Sequence, residues 1–247
     1  MTANRFYLSR PSEPPSVVRI EGREHHHLSR VVRIRTGEAI EFFDGRGAVY
    51  KGVVESCGPD RTLVRILSRE GALSPRTSVT LAMALVRPPV LETVIRAATE
   101  LAVSAMVFVT TERSVAKLPA VPDLRLKRWK RIALEAAKQC KTGWVPEIPA
   151  PRRLEDFLRE DAAEVKLFLS ERGGEPLRRV VTGRPENAPE APASVSVLIG
   201  PEGGWSAGED RTIRERGVRA VTLGRSVLRA ETAAVGALSL ISHFWVI

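Results

Sequence analysis

The nine residues LIGPEGGWS, Leu198–Ser206, decide how the rest of this chain is read. An apolar run stops at Gly200-Pro201-Glu202-Gly203-Gly204, and Ser206-Ala207-Gly208-Glu209 follows with the spacing of a helix-capping box. Buried strand, glycine loop and capped helix in succession put the loop at the carboxyl edge of a parallel sheet, where α/β folds bind ligands. Glycines there let the backbone approach a ligand closely. The loop has no Gly-Lys-Ser/Thr ending for a P-loop and no G-x-G-x-x-G order for a dinucleotide turn. Glu202 would also repel a phosphate. Two readings remain: a ligand recognised by backbone amides and carbonyls, such as an adenine ring with its ribose, or a tight turn whose glycines serve geometry alone.

Outward from the loop, VTLAMAL (79–85), AMVFV (105–109), VKLFLS (165–170), VSVLIG (195–200) and AVTLG (220–224) are compact apolar runs of the buried-strand kind. Helical patterns separate them. Over 90–102, Leu91, Val94, Ile95, Ala98 and Leu101 form one stripe, and the helix after the loop is expected to start at Ser206 and stop near Gly217. Alternating strands and helices imply a parallel α/β sheet. The first 70 or so residues differ. FYLS, VVRI, AIEFFD, AVYKGVVES and RTLVRIL are short β-type segments separated by Gly, Asp and Pro, which suggests a small β-barrel. REGALSPRTS (69–78) reads as a linker, and GRPENAPEAPAS (183–194) as an exposed loop.

A second segment, LGRSVLRAETAAVGALSLI (223–241), ends another short strand at Leu223-Gly224 and enters a helix with Arg229, Glu231 and Thr232 near its start. Arg beside Glu at a helix entrance is costly to bury unless paired. Structurally this is a local ion pair with a cap. Functionally, Arg229 would steady negative charge developing on a substrate while Glu231 and Thr232 shape the pocket.

The formal net charge of +9 points to a polyanionic partner, nucleic acid or anionic membrane. The longest apolar stretch, AAVGALSLISHFWVI, is too short to span a bilayer, and MTANRFYLSRPSEPP has no apolar signal core. Cys57 and Cys140 lie far apart without metal-ligand spacing, which fits reduced thiols in a cytoplasm. Three adjacent histidines, His25–His27, hint at zinc, but strand neighbours point to opposite faces and no Cys or carboxylate cluster completes a site. No metal and no membrane are expected.

LIGPEGGWS, LGRSVLRAETA, ATELAVSAMVFVTTERSV (98–115), RWKRIALEAAKQC (128–140) and HHHLSRVVRIRTGE (25–38) occur together. In combination they resemble the bacterial 16S rRNA uridine N3-methyltransferase family of the SPOUT superfamily, over nearly the whole chain. The resemblance implies a PUA-like, RNA-binding β-barrel over 1–72. Over 73–247 it implies a SPOUT-type knotted, parallel-sheet α/β methyltransferase domain with a C-terminal trefoil knot. It further implies S-adenosylmethionine as cofactor, 16S rRNA of the small ribosomal subunit as partner, and a homodimer. The donor site carried over by the resemblance combines Leu169, Ser170 and Glu171 with Ile199, Gly200, Pro201, Glu202, Gly203 and Gly204, and with Leu223, Gly224, Val227, Leu228 and Thr232. The family commonly has Lys at Ala97, Gly at Ala102, and Ser-Gly-Arg where this chain has Cys140-Lys141-Thr142. Trp205 stands for the usual Phe.

His27, Arg30, Arg33 and Arg35, with Arg87 and Arg113, are the candidate RNA contacts, since phosphate neutralisation supplies most sequence-independent affinity. RLKRWKR (125–131) is either a further basic patch or a solvated helix face, and Trp129 either stacks on a base or fills the core. Uracil N3 carries a proton at neutral pH and lies on the Watson–Crick edge, so the target base must be unpaired. Arg229 is expected to stabilise charge on a uracil oxygen, with Glu231 as base or as the group positioning Arg229. The alternatives are a SPOUT enzyme acting on tRNA or a ribose 2′-hydroxyl, and a non-catalytic RNA-binding relative.

Overall fold

The computed structural model describes residues 5–8, 14, 16–71, 75–114, 123–183 and 191–246. They belong to two compact units. One comprises Met1–Ser74 with Leu134–Val145, the other Pro75–Ala133 with Pro146–Ile247.

In the first unit, β1 (Arg5–Tyr7), β2 (Ser16–Glu21), β3 (Ala39–Phe43), β4 (Ala48–Cys57) and β5 (Arg61–Gly71) form a sheet in the order β1-β3-β4-β5-β2. All its pairings are antiparallel except β1 with β3. Phe6, Ile20, Leu28, Ile40, Phe42 and Ile66 lie in one buried cluster on it. The β3–β4 turn is held by Asp44, whose Oδ1 accepts from the backbone N–H groups of Arg46 and Ala48. Gly47 must be glycine there: its φ is +96° and a Cβ would run into the Trp144 indole. Gly47 N–H donates to Gly143 and Val145 N–H donates to Gly45, which joins the 134–145 segment to this turn. The expected linker begins later than its composition suggested. Arg69–Gly71 still pair with Ala48–Tyr50 as the end of β5, and 72–74 lie outside the described residues.

The histidine stretch corrects the strand reading on which the metal argument leaned. Gly22–His26 form α1, which continues as a π-helical turn over His27–Val32. His25, Leu28 and Val32 recur at helical spacing and turn towards the sheet, with His25 and Leu28 buried and Val32 packed against the same cluster. His25 Nδ1 lies 2.9 Å from Thr62 Oγ1 and Nε2 lies 3.0 Å from the Pro59 carbonyl, so both ring nitrogens serve the core. Burial of Leu28 and this pair of bonds outweigh the β preference of Val31 and Val32.

The second unit contains β6 (Ser78–Ala84), α2 (Pro88–Glu100), β7 (Ala105–Thr110), α3 (Asp123–Cys140, shared with the first unit from Leu134), β8 (Arg152–Arg153) and α4 (Leu154–Glu160). It continues with β9 (Val165–Leu169), β10 (Glu175–Pro176), α5 (Leu177–Thr182), β11 (Ser194–Ile199), α6 (Ala207–Glu215), β12 (Arg219–Thr222) and α7 (Ala230–Ile241). The sheet is parallel throughout, in the order β10-β12-β9-β11-β6-β7-β8. Central β11 is buried on both faces, which is why it reads as a continuous apolar run. The α2 stripe turns Leu91, Val94, Ile95 and Ala98 inward, while Leu101 falls just past the helix end. The helix stops with Ala102 left-handed at φ +59°, its N–H bonded to Thr99 and that of Val103 to Ala98. Trp129 is core: it is 1% exposed and meets Phe108 edge to face at 4.7 Å, leaving no ring face for a base. Of the 183–194 stretch, 184–190 lie outside the described residues.

Candidate active site

The sheet order makes β12, β9 and β11 neighbours, so their carboxyl ends open side by side. A cavity of about 420 Å³, within the usual size of a small-ligand site, lies at those ends. Leu169, Ser170 and Glu171 enter from β9, and Ile199, Gly200, Pro201, Glu202 and Gly204 from the loop after β11. Leu223, Gly224, Val227, Leu228 and Arg229 close it between β12 and α7. Sequence reasoning therefore names most of the wall.

Three expected residues are absent from it. Gly203 turns its carbonyl to Arg113, whose Nη1 donates to it at 2.7 Å. Glu231 and Thr232 sit on α7 between Ala230 and Ala233, which do line the cavity, so successive 100° helical rotations carry them off that face. Arg229 occupies the N-cap position of α7, exposed, and no bond joins it to Glu231 among the described residues. The local ion-pair reading fails for that reason. Residues not anticipated are Gly173, Trp205, Val221, Thr222, Arg225, Ser226 and the Ala230/Ala233 pair. The three-residue spacing of that pair was the one available signal.

The loop geometry follows from its residues. Trp205 is 5% exposed, and its Nε1 donates to the Leu169 carbonyl at 2.9 Å, tying the loop to the end of β9. A Cβ at Gly200 would approach that indole at 3.1 Å, so glycine lets the ring lie against the chain. Gly204 has φ +67°, its N–H closes a turn onto the Pro201 carbonyl, and a Cβ would stand 2.8 Å from the Glu171 carboxylate. The capping box is present. Ser206 Oγ accepts from Glu209 N–H at 3.2 Å, and Glu209 Oε2 accepts from Ser206 N–H at 2.9 Å.

Beneath the β9 end, buried Asp210 accepts from Ser170 Oγ at 3.2 Å and from Arg214 Nε at 2.8 Å. Arg214 also donates to the Gly173 carbonyl and lies 5.2 Å over the Phe168 ring. This network holds the 170–173 turn in shape. The cavity thus offers apolar walls, open backbone at Gly224, two carboxylates (Glu171 and Glu202) and two guanidinium groups (Arg225 and Arg229). At Gly224 a Cβ would meet nothing within 4 Å, so the space beside it is open to a ligand. With two carboxylates against two guanidinium groups the lining carries no net formal charge, and its apolar walls and glycine backbone suit a nucleoside.

The expected RNA contacts are distributed over both units. His27 is half-buried, edge to face with Phe6, while Arg30, Arg33 and Arg35 are exposed on and after the π-helical turn. Arg33 ends that turn in the left-handed region, φ +56°. In the second unit, exposed Arg87 and Arg113 touch the loop itself, through Glu202 at 3.5 Å and through Gly203. No group of three or more His, Cys, Asp or Glu able to hold a metal occurs among the described residues, and no described helix is long and apolar enough to cross a membrane.

Comparison with known proteins adds an independent line. Residues 73–242 match the RNA methyltransferase domain, and residues 20–67 match the RNA methyltransferase PUA domain. Ribosomal RNA small subunit methyltransferase E of Mycobacterium bovis is 31% identical, covering 99% of this chain and 94% of that protein. The Synechocystis protein of the same name is 33% identical, covering 88% of this chain and 70% of its own length. A methyltransferase of Legionella pneumophila, solved with the bound cofactor SAM, superposes with a TM-score of 0.86 at 28% identity, covering 98% of both chains. Ribosomal RNA small subunit methyltransferase E of Neisseria gonorrhoeae, bound to S-adenosyl methionine, gives 0.86 at 27% identity, covering 99% of this chain and 98% of that one. With both domain families matched in order and relatives aligned over nearly its whole length, this chain belongs to the ribosomal RNA small subunit methyltransferase E family.

Proposed function

We propose that this chain methylates N3 of a uridine in the 16S rRNA of the small ribosomal subunit, using S-adenosylmethionine, and works as a cytoplasmic homodimer. The observation that carries the reading is the convergence of the 200–204 loop, the 169–171 turn and the 223–229 segment on one cavity. Membership of the family supports it. A domain boundary near residue 72 and a trefoil knot at the C-terminal part are included in the proposal.

When bound, the donor supplies a methyl carbon already activated by a sulfonium. The protein's own part is alignment and charge. Leu169, Ile199, Leu228 and Ala233 offer apolar surface for a purine, and the backbone of Gly200 and Glu202 lies along the cavity beside its polar edges. Glu171, whose carboxylate lies against Gly204, is the carboxylate in the lining placed to face a cationic sulfur, since Glu202 is paired with Arg87. Holding two reactants in register is worth up to about 7–11 kcal/mol in well-oriented systems.

Removing the N3 proton leaves negative charge shared with the uracil oxygens, and Arg229, at the N-cap of α7, is one of two exposed cations lining the cavity, with Arg225, that are able to receive it. The first-turn N–H groups of α7 add positive potential at the same end. Among the described residues no bond joins Glu231 to Arg229, and Glu231 does not line the cavity, so nothing in the geometry supports it as base or as positioning group. Exposed Arg30, Arg33 and Arg35 supply phosphate contacts from the first unit.

Incubation with radiolabelled S-adenosylmethionine and small-subunit particles, followed by nucleoside mass analysis, tests the reading. The expected product is 3-methyluridine. Label recovered in a ribose 2′-O-methyl nucleoside, or in tRNA alone, would replace it with another RNA methylation.

A further inference from the structure

We infer that the turn Thr110–Ser114 is a brace for the donor loop, and that Arg113 is a positioning residue for the methyl donor rather than a contact for RNA. The inference rests on the cavity being the donor site. It comes from four bonds that join this turn to the loop or stiffen it.

Arg113 Nη1 donates to the Gly203 carbonyl at 2.7 Å, and the aliphatic part of its side chain lies along Gly203, with Cδ 3.4 Å from where a Cβ would stand. One residue earlier, Glu112 N–H donates to Glu209 Oε1 at 2.7 Å. The other oxygen of that carboxylate caps α6 at Ser206 N–H, so Glu209 bridges the turn and the end of the loop. The turn itself is stiff. Thr111 and Ser114 are buried, Ser114 Oγ accepts from Thr111 N–H at 3.0 Å, and the two hydroxyls are 2.8 Å apart.

A loop clasped at Gly203 and at its Ser206 end against a rigid turn is pre-organised, which lowers the ordering cost of binding. The Arg87–Glu202 pair is exposed and 3.5 Å long, so its contribution is small. The charge-assisted Arg113 bond is the stronger clasp.

Calorimetric titration of the full chain with S-adenosylmethionine, without RNA, provides the test. Arg113→Ala should weaken donor binding about tenfold, the effect of losing one such bond. In steady state the donor KM should rise by a similar factor, while kcat and the KM for small-subunit particles stay within about twofold. Arg113→Lys, which keeps the charge with one bond less of reach, should fall between, and it carries the test if the alanine variant does not fold. Unchanged donor affinity in both variants overturns the inference, as does a rise confined to the KM for the particles. If the unsubstituted protein shows no heat with S-adenosylmethionine, the donor-site reading itself has failed, a separate outcome.

Discussion

The loop over Gly200–Gly204 and the helical segment over Gly22–Val32 present opposite kinds of surface. The loop presents backbone, and its conformation is set by a left-handed Gly204, the Trp205 indole bonded to Leu169, and the clasp from Arg113. The segment presents side chains: Arg30 and, beyond its end, Arg33 and Arg35 extend into solvent, while His25 and Leu28 anchor it to the sheet. A small ligand is discriminated by fixed amides and close approach, whereas a polyanion is gathered by mobile charge acting through solvent. Rigidity therefore matters at one region and charge count at the other.

The sharpest way to break this contrast is at the cavity. Arg229→Ala should slow single-turnover methylation by roughly 10²–10³-fold, with donor affinity nearly unchanged, because the charge it meets develops only during reaction. Equal loss of donor binding would make Arg229 a ligand contact instead. Next in size, His25→Ala removes the ring that bonds both the buried Thr62 hydroxyl and the Pro59 carbonyl, leaving Thr62 only its contact with Cys57 Sγ. Urea unfolding should show a loss of about 2–3 kcal/mol. An unaltered donor titration would place that cost in the first unit alone.

A smaller effect is expected from the paired substitution Arg30→Ala with Arg33→Ala. Filter binding to small-subunit rRNA across a salt series should weaken about tenfold near 0.1 M, and the log–log slope should fall by about 1.5. A constant slope would remove these arginines from the phosphate contacts. Smallest is a gain. Ala102 closes α2 at φ +59° with the same two backbone bonds that Gly217 makes at the end of α6. Ala102→Gly should stabilise by about 0.5–1 kcal/mol in thermal or urea unfolding, because a Cβ is disfavoured there. No gain would mean that the alanine methyl contributes packing equal to its strain.

Much of the site could be read before the fold was known, and the particular residues show why. The capping box at Ser206 and Glu209, the apolar run ending at Gly200, and the α2 stripe are local rules, each satisfied within one element. Gly203 and Thr232 are grouped with the cavity by the family resemblance, and Glu231 by its place at the helix entrance. A step of one or two residues along loop or helix turns them away, and only the placement of Arg113 and of the Ala230/Ala233 face shows it. Gly173, Arg225 and Ser226 carried no pattern. They reach the cavity because the Asp210–Ser170–Arg214 network and the β12 end hold their turns there. The histidine stretch reads as strand, whereas burial of His25 and Leu28 against the sheet makes it helical.

By itself the amino-acid order determined backbone shapes: where glycine permits a left-handed turn, where a helix is capped, and which faces are apolar. Those are short-range matters of sterics and hydrogen bonding within a few residues. Tertiary structure alone decided that β12, β9 and β11 lie side by side, so that three turns distant in the chain share one cavity. It also decided that the histidine stretch coils over a sheet instead of joining it. Strand order and burial depend on the summed packing of the whole unit, a sum that no local window contains.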